Sequence, residues 1–409
     1  MKKVMVIGAG AGQVPIIQAA KEYGFYTLVV SPFGPYPGLD MGHMHIDEDI
    51  YNVDALIRIG KEENVDYVIS DQSDYAVPIV AHIASALGLP GNSPEVAETY
   101  SFKAKFRRFC EKYGIPCPKA ETVGPGAYSS NVLSGMSAPF VIKPSDSQGS
   151  RGITKVDGVE DIEKAVKYAA SYSKKGEVVV EEFFAGREVV CEGFVYKGEY
   201  TNVAFGDRQY FSLEGKFIPS KTVFPSTIDD DVKSAIISNE RRITTLLKPL
   251  FGIVHSEYLV GEDGTFVVVE SALRGGGVYI ASHLIPSSTG VDLTVLLMEA
   301  MLGHDDSVRR ILSSSSKAGA AEYLCFYLKE GTVTSIEGAE QVPSIPGVLI
   351  SEIDNIHVGD RVPVFEHKGM RKGPFIVEAD SLSSLAEIEN KIRKTLRIHV
   401  DGKNGIVWE

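Results

Sequence analysis

The sequence predicts a mixed α/β and α+β chain: a β-α-β unit first, then a larger central region of interleaved strands and helices, then a small β-rich carboxy-terminal region. Three observations carry this. Residues 4–10 form an apolar strand ending in glycines, followed by a helical pattern and a second apolar strand, FYTLVV. The centre holds hairpin signals, the clearest at Asp263-Gly264. From about 318 to 400 the pattern alternates like strands, with a helix at about 381–394 and a last strand, RIHV.

Composition narrows the class. At 409 residues the chain is long enough for two or three domains with their own cores. Its 41 basic and 54 acidic residues give a formal charge of −13, which argues against nucleic acid or an anionic membrane as the main partner. No apolar run reaches the roughly 20 residues of a spanning helix, and Met1-Lys2-Lys3 leads into a short strand, so a cytoplasmic location is expected. Cys110, Cys117, Cys191 and Cys325 show neither a CxxC pair nor zinc spacing and read as reduced thiols.

In order, the first strand meets Gly8, Gly10 and Gly12, which suggest a dinucleotide fingerprint. The motif fails at its sixth position, Gln13, and the second strand ends at Ser31-Pro32 without the acidic residue a ribose would need. The glycines read instead as a turn that lets a helix approach the sheet. A further β-α unit is expected at DYVIS (66–70) and the helix after Tyr75, and Leu89 to Pro94 is a turn-rich boundary. A basic helix, SFKAKFRRFCEKYG, follows and stops at Gly114 before Ile115-Pro116. Strand PFVIKP places Lys143 just ahead of the loop SDSQGSRG (145–152), and ITKV returns. Such a loop can set backbone N–H groups and one ammonium on phosphate oxygens, although no Gly-Lys-Ser/Thr opens a helix. A helical segment (159–172) leads to VVVEEFF, a buried strand reaching an edge, after which Glu188 starts another strand with Glu192 on its face. A helix near 229–251 and the apolar helix GVDLTVLLMEAMLG frame the hairpin.

That hairpin is the most informative stretch. If Asp263-Gly264 forms a two-residue type I′ turn, Glu262 pairs with Thr265 and the ladder sets Glu257 directly opposite Glu270. Opposed partners have Cβ atoms roughly 4.5–5.5 Å apart, where two carboxylates repel and a cation belongs. If the strand continues that far, alternation puts Arg274 on the face of Glu270, and oxygen-only ligands suit Mg²⁺ rather than zinc; the other reading of this stretch is a solvated hairpin with two surface glutamates.

The order of these pieces resembles an ATP-grasp enzyme, in the branch of carbamoyl-phosphate synthase large subunits, biotin carboxylases and carboxylate–amine ligases. The resemblance covers about residues 1–310 strongly and 318–400 weakly. It implies a pre-ATP-grasp domain (1–94), a two-subdomain ATP-grasp domain (95–310) with a glycine lid at 145–152, and a β-rich carboxy-terminal domain (311–409). Carried over by position, Lys103 and Lys143 match the ATP-contacting lysines, with Phe102 where the family often has aspartate. Ser147, Gly149, Ser150 and Gly152 fall in the lid, Glu181, Glu182 and Phe183 match the adenine hinge, and Glu188 the ribose-binding glutamate. Glu257 and Glu270 resemble the paired metal carboxylates. Arg274 resembles the arginine that steadies the transferred phosphate, which with Lys143 makes up the expected catalytic pair. One departure stands out: where the family has Glu-x-Asn, this chain has Glu270-Ser271-Ala272, and alanine cannot coordinate.

The resemblance implies an ATP-dependent ligase that joins a carboxylate to an amine through an acyl phosphate and releases ADP and phosphate. ATP and Mg²⁺, with Mn²⁺ as a substitute, are the expected cofactors. Small-molecule carboxylate and amine substrates are the expected partners, with no nucleic acid or membrane, and a homodimer is compatible. Two rivals belong to other classes. A nucleotide-binding regulatory protein would bind ATP without releasing ADP, and a nicotinamide-dependent oxidoreductase would change the nicotinamide absorbance without needing ATP.

Overall fold

The structure is a computed structural model that describes residues 1–124, 133, 135–147, 151–277, 279–314 and 319–409. It begins with a four-stranded parallel sheet in the order Met44–Ile46, Tyr26–Val30, Lys3–Ile7, Tyr67–Ile69. The β-branched first strands are buried on both faces because helices Val14–Glu22, Val53–Glu62 and Ala76–Leu87 pack against them.

The glycine turn behaves as the sequence implies. Gly8 has φ +95°, and Gln13 folds back over the turn, its Oε1 accepting from the Gly10 amide at 3.1 Å. A Cβ at Gly8 would lie 3.0 Å from that oxygen, so the glutamine fills the space above the glycines.

The basic helix expected from Ser101 starts later. One helix spans Pro94–Ser101, Phe102 is extended (φ −105°, ψ 114°), and a second helix runs Lys103–Tyr113 to a left-handed cap at Gly114. The break frees the Lys103 amide to donate to the Ser145 carbonyl at 3.1 Å, which ties the helix start to the loop after Lys143.

Two further sheets make the central region. The smaller has the order Ala120–Val123, Val178–Glu182, Phe140–Pro144, Thr154–Val156, so the VVVEE strand lies inside its sheet rather than at an edge. Its apolar face covers the helix Ile162–Ala170. Among the described residues the larger sheet has nine strands, eight of them on the path Phe266–Ala272, Phe251–Val260, Arg187–Tyr196, Glu199–Tyr210, Pro219–Phe224, Ala320–Leu328, Lys372–Ala379, Val348–Ser351, and the ninth, Ile406–Val407, paired with Ala320–Leu328 off that path. Strands from beyond residue 310 thus continue the sheet of the central region, with Lys221 paired to Leu324. One face of this sheet packs on helices Lys103–Tyr113 and Asp230–Leu247 through Val189, Cys191, Val254 and Tyr258. The other packs on helix Leu293–Leu302 through Phe194 and Ile253. A four-stranded sheet with Gly331–Glu337 at its centre and the helix Leu382–Thr395 complete the carboxy-terminal region. No single helix among the described residues is long and apolar enough to cross a membrane.

Candidate active site

The face of the large sheet that is apolar at Phe194 and Ile253 turns polar further along the same strands, at Glu188, Glu192, His255 and Glu257. Strand alternation with a period of two makes this change one continuous surface.

The hairpin reaches its expected carboxylate pairing by a different route. The loop is longer than two residues: Val260 pairs with Phe266, the Gly261 amide donates to the Thr265 carbonyl at 2.8 Å, and the Gly264 amide donates to the Gly261 carbonyl at 3.1 Å. Gly264 takes φ +81°, as in a type I turn closed by a left-handed glycine, so the register near the turn is one residue off the two-residue expectation. A bulge between Tyr258 and Glu257 then restores it, with Val269 as the extra residue. Arg107 donates to the Val269 carbonyl, which the bulge leaves outside the ladder. Glu257 and Glu270 therefore are direct partners.

Their repulsion is offset by cations. Arg208 bridges Glu257 and Glu188, at 2.6 Å from the latter, and Lys103 lies 3.5 Å from Glu270. Burial alone would raise the pKa of Glu257; Arg208 and His255 overcome that and hold it well below the usual carboxylate range. Burial dominates at Glu188 and raises its pKa, although Arg208 opposes it. His255 contacts Glu192 through Nδ1 and approaches Glu257 to 3.5 Å through Nε2. Burial disfavours its charged form, but Glu192 outweighs burial and the pKa rises to about 9.

The small sheet supplies the opposite group. Lys143 and Arg107 both pair with Glu181, at 2.8 and 2.7 Å, and all three are almost fully buried. Burial lowers the Lys143 pKa despite Glu181. The Glu181 carboxylate is thus committed to cations. The amides of Glu182 and Phe183 donate to the Lys119 and Pro139 carbonyls, and the Glu182 carboxylate accepts from the Ser137 amide at 2.7 Å. The Phe183 ring stacks near Phe217 under the Lys155 ammonium. Lys103 Nζ donates to the Ser147 carbonyl at 3.0 Å and so links the segment after Lys143 to Glu270. Gly152 has φ +73° with Pro144 and Tyr172 close against its backbone. Gly149 and Ser150 lie outside the described residues.

The strand ends at Ala272, short of Arg274, so strand alternation does not place this residue as expected; it sits in the glycine turn that follows. Asp74 of the first unit holds it, Nε to Oδ1 at 2.6 Å and Nη2 to Oδ2 at 2.9 Å. A Cβ at Gly276 would lie 2.6 Å from Glu192 Oε1 and 2.9 Å from His255 Nδ1, so only glycine lets the turn approach that pair this closely. From the carboxy-terminal region, Lys368 joins the cationic side: burial, then Arg371 and Arg208, lower its pKa to about 8. Between the first unit and Lys103 lies a cleft of about 240 Å³ whose walls include Tyr51, Asp74, Tyr75, Ile79 and Phe102.

The donor set fits a hard divalent cation held in part by other ligands. Glu257 and Glu270 face each other, and each side chain keeps about a fifth of its surface exposed, 21% and 22%. Among the described residues no group of three or more His, Cys, Asp or Glu surrounds them as a closed protein cage would. Ala272 is buried opposite His255, and Ser271 bonds Ser256 at 2.8 Å on the other face, so neither adds a ligand.

Comparison with known proteins shows what this arrangement is similar to. Residues 136–282 match the model of the ATP-grasp domain. The chain is 24% identical over 291 residues to a phosphoribosylamine–glycine ligase of Leifsonia xyli, and 23% identical over 271 residues to an alanine–anticapsin ligase of Bacillus subtilis. Those matches cover 67% and 61% of this chain, and 68% and 56% of the two relatives. The L-amino acid ligase of Bacillus licheniformis superposes with a TM-score of 0.81 over 98% of this chain and 99% of that one, at 20% identity, so the two share a fold over nearly their whole length.

Sequence reading did not find Arg208, Asp74 as the partner of Arg274, or Lys368. Each joins the site from a strand or loop distant in sequence, and only Arg208 had a local signal, the Lys197-Gly198 turn of its own hairpin.

Proposed function

We propose that the chain is an ATP-dependent ligase that joins a carboxylate to an amine. The observation that carries this is the opposed pair Glu257 and Glu270, flanked by Lys103 and Arg208 and near Arg274, in a fold shared with carboxylate–amine ligases. Lys143 and Lys103 would hold nucleotide phosphates, Ser147 to Gly152 would cover them, and Glu181 to Phe183 with Glu188 would seat the nucleoside. Glu257 and Glu270 would hold Mg²⁺, whose chemistry when bound is to neutralise charge on the phosphates.

The chain's own residues position and neutralise; no covalent nucleophile is needed. A substrate carboxylate oxygen attacks the γ-phosphorus, the bond to the ADP oxygen breaks, and ADP leaves with the electron pair. The amine nitrogen then bonds to the acyl carbon, phosphate departs with the C–O pair, and the nitrogen gives up its proton to solvent or phosphate. Arg274 faces the oxygens on which charge gathers. The cleft beside Tyr75, walled by Tyr51, Ile79 and Phe102, suits the apolar body of one substrate.

A screen of carboxylate and amine pairs for ADP release, with mass detection of the product, tests the proposal. ADP release that requires both partners and yields their amide is expected. ATP binding with no ADP release from any pair would favour a regulatory protein without turnover.

A further inference from the structure

Arg274 is held from outside its own domain. Asp74 stands 200 residues earlier in the chain, and both side chains are about nine-tenths buried, 12% and 11% exposed. The Asp74 carboxylate accepts from Nε at 2.6 Å and from Nη2 at 2.9 Å, and the Gly275 carbonyl accepts from Nη1 at 2.9 Å. A guanidinium has five N–H groups in one rigid plane, two of them on each terminal nitrogen. Three are spent, which leaves one on Nη1 and one on Nη2. That remaining pair matches two oxygens of a phosphoryl group or carboxylate.

The same loop also fixes the backbone beneath. Asp71 Oδ1 accepts from the Gly275 amide at 2.7 Å, and the Asp71 carbonyl accepts from Gln13 Nε2 at 2.6 Å. A Cβ at Gly275 would lie 3.0 Å from both Asp71 carboxylate oxygens, so the turn rests directly on the first unit. Two carboxylates of one loop thus restrain Arg274, one through its backbone and one through its side chain.

We propose that Asp74 is a positioning residue: it locks the Arg274 guanidinium so that its two remaining N–H groups meet the transferred phosphoryl group. This rests on the role given to Arg274 in the proposed ligase. A plain ion pair joining two parts of the chain would stabilise the fold equally whatever is bound. A positioning residue should matter most when charge at the phosphoryl position is mimicked.

The test needs no identified substrate. Binding of ADP with Mg²⁺ is compared by calorimetry with and without aluminium fluoride, which stands in for the transferring phosphoryl group. Wild type should bind ADP more tightly with aluminium fluoride, and Arg274→Lys should abolish that gain. Asp74→Asn keeps one acceptor but turns an amide N–H toward Nη2, so the fork is held on one side only. It should lose the gain on the order of tenfold, because small displacements of a charged group cost this much or more, while ADP alone binds as in wild type. In the Arg274→Lys background Asp74→Asn should change nothing further. If Asp74→Asn does not fold, Asp74→Glu keeps the charge and shifts it by one methylene, and should show a smaller loss of the same kind. An Asp74 variant that keeps the full gain, weakens both complexes equally, or adds its full effect to that of Arg274→Lys overturns the proposal while leaving Arg274 in place. An Arg274→Lys protein with the full gain overturns the role of Arg274, and this proposal with it.

Discussion

Arg208 is the cation on which the two-glutamate arrangement depends, and Arg208→Met measures how much. It contacts Glu188 at 2.6 Å and also Glu257, with Arg208 and Glu188 each 10% exposed and Glu257 21%. Breaking a buried pair by removing one partner costs about 3–5 kcal/mol, because a charge stays behind unpaired. Here Glu257 retains His255 at 3.5 Å and some solvent, so the lower end, about 3 kcal/mol, is the expected cost near pH 8. With roughly 2.1 cal/mol/K of unfolding entropy per residue, 3 kcal/mol lowers the melting temperature by about 3–4 °C if the whole chain unfolds together, and about twice that if only the central region does. Burial already raises the Glu188 pKa, with Arg208 opposing, so the variant raises it further. The folded variant then holds a proton that the unfolded chain, with an ordinary glutamate pKa of about 4.3, has released. Its deficit is therefore full at high pH and shrinks as the pH falls through the folded value. Melting curves at pH 8 and pH 5.5 should show the larger loss at pH 8, and adding Glu188→Gln should recover most of it. A loss under about 1 kcal/mol, equal at both pH values, would refute the reasoning and mark the bridge as a surface pair.

Two other substitutions have definite outcomes. Lys143→Met should weaken Mg·ATP binding in calorimetry by roughly ten- to a hundredfold, the worth of one charged hydrogen bond, with little loss of fold because Arg107 still pairs with Glu181 at 2.7 Å; unchanged affinity would remove Lys143 from the site. At the carboxy-terminal end, burial and then Glu389 raise the Glu322 pKa to about 8, so the folded state keeps a proton that the unfolded chain loses above about pH 4.3, and stability falls as pH rises between those values. Glu322→Gln should melt like wild type at pH 5 and higher than wild type at pH 8.5, and a lower melting point at both would show that the charged form contributes to the fold.

Much of the fold was legible because its signals are local. The first β-α-β unit, the helix after Tyr75 and the strand at Lys143 follow from periodicity and turn chemistry, and the Glu257–Glu270 pairing agrees as well. The pairing came out as expected through two errors that cancel. The Gly261 to Thr265 loop displaces the register by one residue and the Val269 bulge displaces it back; Gly264 suits a two-residue turn and the longer loop alike, and no residue type marks the bulge. The helix break at Phe102 was invisible for a related reason. Phenylalanine is no helix breaker, and what interrupts the helix is the bond from the Lys103 amide to Ser145, forty-two residues away.

Arg208 shows where local reasoning can be pushed further. Lys197 and Gly198 both take positive φ, 50° and 82°, as a two-residue hairpin turn of the primed type requires, and Tyr196 pairs with Glu199. Counted from that turn without interruption, the ladder would set Glu188 opposite Asp207 and Arg187 opposite Arg208, stacking like charges in two adjacent rows. A bulge between Asn202 and Ala204 shifts the register by one, giving Val189 opposite Asp207 and bringing Arg208 to Glu188. The like-charge rows were themselves the signal that the simple register is wrong, and moving one strand by one residue is the smallest change that pairs the charges. The same logic does not reach Asp74 or Lys368, whose partners in the site lie across sheet and domain packing. No ladder connects them, and the charges have to be placed in space before their pairing can be read.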